Sequence, residues 1–490
     1  MSVPFYNLLF NLSLDPASEE PLYLQVASRV ADVTRDGKLQ PGAPMPGTRT
    51  LAKALGISRN AAIAAYGELH AQGWIETEVG FGTRVATVLP DFKGGPAPAK
   101  PAATGCGFEF ASAFSGAAPA APFRVDLREA LPDPRLVPEE DLARAFRRPV
   151  AKATARPRPG RDPFGPLEAR TALAGLLAER RALPADPEGL LLVGGTRDGL
   201  GLIARHLFPP GSTLAVEEPG DPRVWSAFHL AGHELVGVPV DAQGIVPETL
   251  EDICVASRPR ALVLSPNAQK PTGAVLSPER RAAVLELAGR YRMALIEDDH
   301  AAELYFEDRD WRPLAAEDRR GVVLHVGSFE QLFGPAFPLG FITGPREPLA
   351  TLARARLEEG GADLELLAGA LRELILDGTC LRHARKVRTA VRVRRDRLAA
   401  FLREAFGEGL DVHVPASGLG LWATTRGLDL AALQRGAEAL GIGLRVPGHW
   451  RLSPEGAEGL LFPFAAFTPE ELESALGPLR RVAAGLRTRA

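Results

Sequence analysis

Apolar residues recur at two different periods along this chain, and the change between them divides it. In PLYLQVASRVADVTRDGKL, Leu22, Val26, Val30 and Val33 return at helical spacing, and Gly37 can stop the helix. PGAPMPGTRTLAKALG predicts a short second helix capped by Thr48 and ended by Gly56. ISRNAAIAAYGELHAQG predicts a third, with Ser58 as N-cap, Ile63, Tyr66 and Leu69 on one face, and an end at Gly73. WIETEVGFGTRVATV then reads as two short strands about the turn Gly80-Phe81-Gly82. Three helices followed by a hairpin predict a winged helix-turn-helix, whose third helix enters the DNA major groove.

From residue 123 onward the pattern is different. GLLLVGG (189–195), STLAVEEPG (212–220), RALVLSPN (260–267), MALIEDD (293–299) and GVVLHVGS (321–328) are continuous apolar runs separated by helical stretches. Such runs predict parallel strands buried on both faces of an α/β sheet. From about Gly378 a basic helix and a shorter α+β tail follow, which predicts a smaller terminal subdomain over 378–490. The segment 89–122, rich in Ala, Pro and Gly, reads as a flexible linker. The predicted organisation is a winged helix over 1–88, the linker, and an α/β domain over 123–490.

Composition narrows the function. At 490 residues the chain needs two or three domains, and its net charge of -3 gives no global attraction to nucleic acid, so any DNA contact must be local. Residues 1–88 hold seven basic against eight acidic side chains, and Glu76 and Glu78 flank the wing, so counterion release contributes modestly and a dimer is expected to supply the rest. Three scattered cysteines exclude a disulfide framework and a structural zinc site, and no window reaches membrane-spanning length. No metal site is predicted, and a reducing cytoplasm is the expected compartment. The stretch from Leu381 to Arg395 carries seven basic residues and reads as a solvated or subunit-facing helix.

PLYLQV, GxxxPGTRTLAKALGISRN, AAYGELHAQGW and GFGTRV closely resemble the DNA-binding module of the GntR class of bacterial regulators. The resemblance implies that Arg49, Ser58, Arg59 and Asn60 contact phosphates and base edges of promoter DNA, and that Gly80, Phe81, Gly82 and Thr83 form the wing tip. The remainder, through GRDPFGPLEAR, LSPNAQKPTGAVLSPERR and ALIEDDHAAELYF, resembles the fold type I aminotransferases, and the order of modules is similar to the MocR subfamily. That family binds pyridoxal phosphate. By resemblance Asp298 stands where a carboxylate pairs with the pyridine nitrogen, Gly195, Thr196 and Ser328 near the phosphate, and Gln269 near the ring hydroxyl.

Other positions depart from the family pattern. Gln331 stands at the imine lysine, Pro338 at a phosphate-binding arginine, Asp221 and His300 at two tyrosines, and Leu461 at the arginine that clamps a substrate carboxylate. An amide has no basic nitrogen and forms no imine, so no catalytic residue and no covalent cofactor are expected. The expected function is a DNA-binding regulator that is not an enzyme, whose second domain supplies a homodimer interface and a pocket for a small-molecule effector. Two alternatives stand beside it: a pyridoxal-phosphate protein that uses Lys270, and a scaffold that does not bind DNA.

Overall fold

The computed structural model describes residues 14–15, 18, 20–78, 82–90, 123–155, 162–361 and 363–487. The expected linker lies outside these from residue 91 to residue 122, as do Gly80 and Phe81 of the wing. The chain divides into two compact units, residues 1–117 and 118–490.

The first unit contains α1 (Leu22–Arg35), α2 (Thr48–Leu55), α3 (Arg59–Ala71) and an antiparallel pair, β1 (Ile75–Glu78) with β2 (Gly82–Val85). Its core gathers Val26 and Val30 of α1, Leu51 of α2, Ala62, Ala65, Tyr66 and Leu69 of α3, and Trp74 and Val85 of the hairpin. Gly56 closes α2 at a φ of 65°, where a side chain would be strained. Two sequence expectations change. Gly47, not Thr48, is the N-cap of α2, and no side chain caps it. Ile63 is 48% exposed, because the smaller Ala62 and Ala65 face the core and leave Ile63 on the opposite side of α3.

The second unit is built on an eight-stranded sheet in the order β4-β11-β10-β9-β8-β5-β6-β7. After β3 (Val125–Asp126), α4 (Glu139–Ala155) and α5 (Leu167–Arg181), the chain forms β4 (Leu190–Val193), α6 (Thr196–His206), β5 (Thr213–Glu218) and α7 (Pro222–Leu230). Next come β6 (Glu234–Asp241), β7 (Gly244–Ile245), α8 (Pro247–Ser257), β8 (Ala261–Leu264), α9 (Pro278–Tyr291) and β9 (Ala294–Asp299). The sheet is completed by β10 (Val323–Ser328), the single turn α10 (Glu330–Phe333) and β11 (Gly340–Thr343). Strands β6, β5, β8, β9 and β10 are mutually parallel, as buried apolar runs predict, but β11 runs antiparallel between β10 and β4. Alternate residues feed opposite cores. Val216, Val263 and Ile296 join Leu200, Phe228 and Leu349 on one face, while Ala215, Leu262 and Leu295 join Leu250, Val284 and Leu287 on the other.

Helices α11 (Arg346–Glu358), α12 (Glu365–Leu376) and α13 (Thr379–Phe406) lead to a three-stranded antiparallel sheet of β12 (Leu410–His413), β13 (Gly420–Thr425) and β15 (Leu460–Pro463). Helices α14 (Leu430–Ala439), α15 (Pro469–Leu476) and α16 (Leu479–Arg487) complete this part, and β14 (Ile442–Gly443) pairs with the distant β3. The basic helix is less solvated than its charge predicts. Arg394 donates to Asp133 Oδ2 at 2.8 Å and to the Ala465 carbonyl, and Arg395 donates to the Pro415 carbonyl at 2.8 Å, so both are buried anchors. Arg385, Arg388 and Arg392 instead line a cleft of about 470 Å³ with Phe306.

Consecutive acids end β9. Glu297 and Asp299 face the same side, and both are buried. Glu297 accepts from the Leu314 and Ala315 amides at 2.7 and 3.0 Å and lies 3.0 Å from His325 Nδ1. Asp299 pairs with Arg181 at 2.6 Å and accepts from the Tyr305 hydroxyl at 3.0 Å. Burial pushes the Asp299 carboxyl up, but Arg181, His325 and Tyr305 outweigh it and hold it below the usual range. Asp299 therefore adds stability above the ordinary carboxylate pKa and loses it as pH falls through its lowered value. Arg181→Met is predicted to cost about 3–5 kcal/mol at neutral pH, since it leaves a buried acid without its cation. Urea unfolding reads this, and an unchanged midpoint would contradict it.

Candidate functional site

In the first unit, Ser58 Oγ accepts from the Ala61 amide at 3.1 Å and starts α3, as the sequence predicts. Its cap leaves Arg59 and Asn60 exposed at the helix entrance, and Ile63 continues the same outward face. Arg49, in the first turn of α2, is also exposed. Neither Arg49 nor Arg59 makes an ion pair among the described residues, so both guanidiniums are available to phosphate or base edges. Tyr66 fixes α3 against the preceding loop by donating to the Pro46 carbonyl at 2.6 Å. Gly82 and Thr83 open β2, and the Met45 amide donates to the Thr83 carbonyl at 2.8 Å, which anchors the base of the wing.

In the second unit a cavity of about 260 Å³ opens beside the carboxyl ends of β4, β5, β9 and β10. This is where open α/β sheets bind ligands. It gathers most of the positions singled out in the sequence: Thr196, Asp221, Asp298, His300, Ser328, Gln331 and Pro338 all line it. Gly195 sits directly behind Thr196 as N-cap of α6. A smaller adjoining space of about 40 Å³ is lined by Gln269, Gln331, Lys270, His300 and Leu461.

Several of these side chains already have partners within the fold. Gln269 is buried with its amide committed to its own loop: Nε2 donates to the Pro219 and Lys270 carbonyls, and Oε1 accepts from Thr272. Ser328 Oγ accepts from the Glu330 amide at 3.1 Å. Asp221 is not a bare negative charge. It caps α7, and its Oδ2 lies 2.7 Å from Lys270 Nζ and 3.0 Å from Arg223 Nη2. Lys270 is therefore an ion-paired, largely buried residue beside Trp450 rather than a solvated loop lysine.

Three more side chains line the larger cavity. Asp298 is 7% exposed, and its Oδ1 has no hydrogen-bond partner among the described residues. Gln331 Oε1 is buried and equally without one. Glu330 turns its carboxyl toward the start of α6: a Cβ on Gly195 would stand 3.3 Å from Glu330 Oε2. His300 Nδ1 lies 3.7 Å from Asp298 Oδ2. Burial lowers the His300 pKa, but Asp298, with Asp221 and Asp299 behind it, outweighs that and leaves it above its ordinary value.

Glu330, whose negative charge the sequence places near the expected phosphate, lines the cavity. Sequence reasoning missed Arg197 and Arg223 in the cavity and the buried Glu217 beside it. Glu217 is fully enclosed on β5, and burial pushes its carboxyl up to about 8, against an amide bond from Ser265. Between its ordinary 4.5 and about 8 the unfolded chain loses a proton that the folded chain keeps, so this group makes stability fall as pH rises. Glu217→Gln is predicted to flatten that decline. Thermal unfolding at about pH 5.5 and about pH 8 measures it, and an equal drop in variant and parent would refute it.

Comparison with known proteins is consistent with both units. Residues 22–85 match the bacterial regulatory proteins of the gntR family, and residues 139–476 match the aminotransferases of class I and II. The probable rhizopine catabolism regulatory protein MocR of Rhizobium meliloti is 27% identical over 96% of this chain and 95% of its own length. The transcriptional regulator TauR of Rhodobacter capsulatus is 30% identical over 70% of this chain and 71% of its own. The pyridoxine biosynthesis regulator PdxR of Corynebacterium glutamicum is 28% identical over 78% and 79%. Among solved structures, an archaeal alanine:glyoxylate aminotransferase superposes with a TM-score of 0.69 at 23% identity, covering 75% of this chain and 92% of that one, which shows the fold. With a gntR-family helix-turn-helix followed by an aminotransferase class I and II domain, the chain belongs to the MocR-type GntR regulators.

Proposed function

We propose that this protein is a cytoplasmic, promoter-binding regulator whose aminotransferase-like unit joins two copies and responds to a small molecule without transaminating it. The observation that carries the second half is the chemistry of position 331. The side chain that follows β10 into the cavity is an amide, and the lysine that lines the cavity, Lys270, is tied to Asp221 at 2.7 Å. The donor set fits only half of pyridoxal phosphate. Asp298 suits a ring N–H, whereas Glu330 faces the helix start that would otherwise take the phosphate, and an acid beside a dianion at low dielectric is unfavourable. No catalytic step is therefore assigned to this cavity.

DNA recognition is supported by the outward face of α3. Arg59 and Asn60 supply fork-like donors suited to phosphate and base edges, and Ile63 supplies an apolar contact of the kind that reads a thymine methyl. The balanced charge of residues 1–88 makes a dimer the natural way to reach useful affinity. Replacing both Arg59 and Asn60 by Ala is predicted to weaken binding to the protein's own promoter region at least about tenfold, the effect of about 1–3 kcal/mol per lost base contact. Ile63→Ala is predicted to reduce discrimination between promoter and random DNA more than it reduces binding to random DNA. Mobility shifts at two salt concentrations test both, and full promoter binding by the double variant would overturn the reading.

A further inference from the structure

We infer that the face of α13 carrying Arg385, Arg388 and Arg392 is a second DNA contact, one that takes the phosphate backbone of the duplex without reading its sequence. This rests on the reading of the chain as a promoter-binding regulator and adds a surface outside its helix-turn-helix. The contact lies wholly within the second unit.

The first argument is that these three cations have no partner. Other arginines of α13 do: Arg382 donates to the Asp377 carbonyl and to Thr379, both at 2.8 Å, while Arg394 pairs with Asp133, Arg395 with Asp396 and Arg397 with Glu473. Arg385, Arg388 and Arg392 make no ion pair among the described residues, and Arg385 and Arg392 are exposed. From residue 381 to residue 395 the chain places seven basic residues and no acid, so nothing in that stretch of the helix neutralises them. Glu303, near enough to feel Arg388, pairs with no cation among the described residues, and burial pushes its carboxyl up more than Arg181, Arg180 and Arg388 pull it down. A free guanidinium makes its strongest bonds to phosphate or carboxylate oxygens.

The second argument is their arrangement. Positions 385, 388 and 392 recur at i, i+3 and i+7, one stripe of the helix. A rise of about 1.5 Å per residue sets them at levels about 4.5 and about 6 Å apart, about 10.5 Å from first to last. A row of that length suits a linear polyanion, and a DNA strand carries a phosphate every ~3.4 Å of its axis. A compact anion meets only part of the row. All three arginines line one cleft of about 470 Å³ with Phe306, Thr389 and Val393, and no carboxylate shares its wall. Phe306 is held under Arg395, whose guanidinium carbon lies 4.9 Å from the ring centre, and the Thr389 hydroxyl donates to the Arg385 carbonyl at 2.9 Å. The guanidiniums are thus the free donors of the cleft.

The third argument is charge. Residues 1–88 hold seven basic against eight acidic side chains and the whole chain is at -3, so the part that reads the bases brings little counterion release of its own. The stripe on α13 supplies phosphate contacts where the rest of the chain gives no net attraction. Phosphate contacts add affinity without sequence information, so this face strengthens binding while α3 keeps the specificity.

Fluorescence anisotropy of the full chain on a promoter duplex and on a random duplex, from about 50 to about 200 mM salt, tests the inference. Arg385→Gln, Arg388→Gln and Arg392→Gln together are expected to make the slope of log affinity against log salt shallower by about 2–3 on both duplexes, at about 0.9 per lost phosphate contact. Binding at about 50 mM salt should fall at least about tenfold, while the ratio of promoter to random affinity stays the same. Lys at the same three positions keeps the charge and should keep the slope. Arg385→Gln with Arg392→Gln, at the two exposed positions, should make the slope shallower by about 1–2, and it decides if the triple variant fails a thermal-unfolding check. An unchanged slope, or a loss that Lys does not restore, would overturn the inference. So would one-to-one binding of inorganic tripolyphosphate that the triple variant loses while its DNA binding is unchanged, since the cleft would then take a small anion. Arg59→Ala with Asn60→Ala in the same assay separates this from the reading of α3: it should lower the ratio of promoter to random affinity and leave the slope change intact. A parent protein that binds no DNA would sink both.

Discussion

The structure depends on how the second unit buries the acids at the end of β9. Glu297 and Asp299 are taken out of water together, and only a complete set of partners makes that tolerable: Arg181 from α5, His325 from β10, the Tyr305 hydroxyl and two backbone amides. The network joins β9, β10, α5 and the loop after β9 behind the cavity. Its rigidity makes the next link possible. With its two neighbours locked on one side, Asp298 is left on the other, where it lines the cavity.

From this holder the cavity follows in steps. The carboxyl ends of parallel strands converge, the start of α6 faces them, and α10 places Glu330 and Gln331 over the opening. In an imine-forming site this arrangement would present an amine. Here it presents an amide and an acid, while Asp221 pairs with the neighbouring lysine. The scaffold is thus retained while position 331 carries no amine. Joined to a helix that offers Arg59, Asn60 and Ile63 to DNA, such a cavity suits reversible recognition better than turnover.

Much of this was legible in the chain. The strands that carry the site were visible as apolar runs because parallel strands are buried on both faces, and the Ser58 cap was visible because capping is local chemistry. What escaped was set by tertiary partners. Strand β11 is four residues long and is held by its two neighbours rather than by its own pattern. Ile63 looked like core because hydrophobicity alone cannot distinguish it from Ala62 and Ala65, which fit closer to α1 and α2. Arg394 and Arg395 looked solvated because their acceptors, Asp133 and the Ala465 and Pro415 carbonyls, are distant in sequence. Asp221 read only as a departure from a tyrosine because its partners Lys270 and Arg223 meet it only in the fold.

The central claim is that the cavity recognises without bonding covalently. Its most direct measurement is the intact mass of the full chain after incubation with pyridoxal phosphate and reduction with borohydride, followed by peptide mapping. The account predicts no stoichiometric adduct, because Gln331 carries no amine and Lys270 is held by Asp221 at 2.7 Å. One adduct per chain, mapped to Lys270, would contradict it.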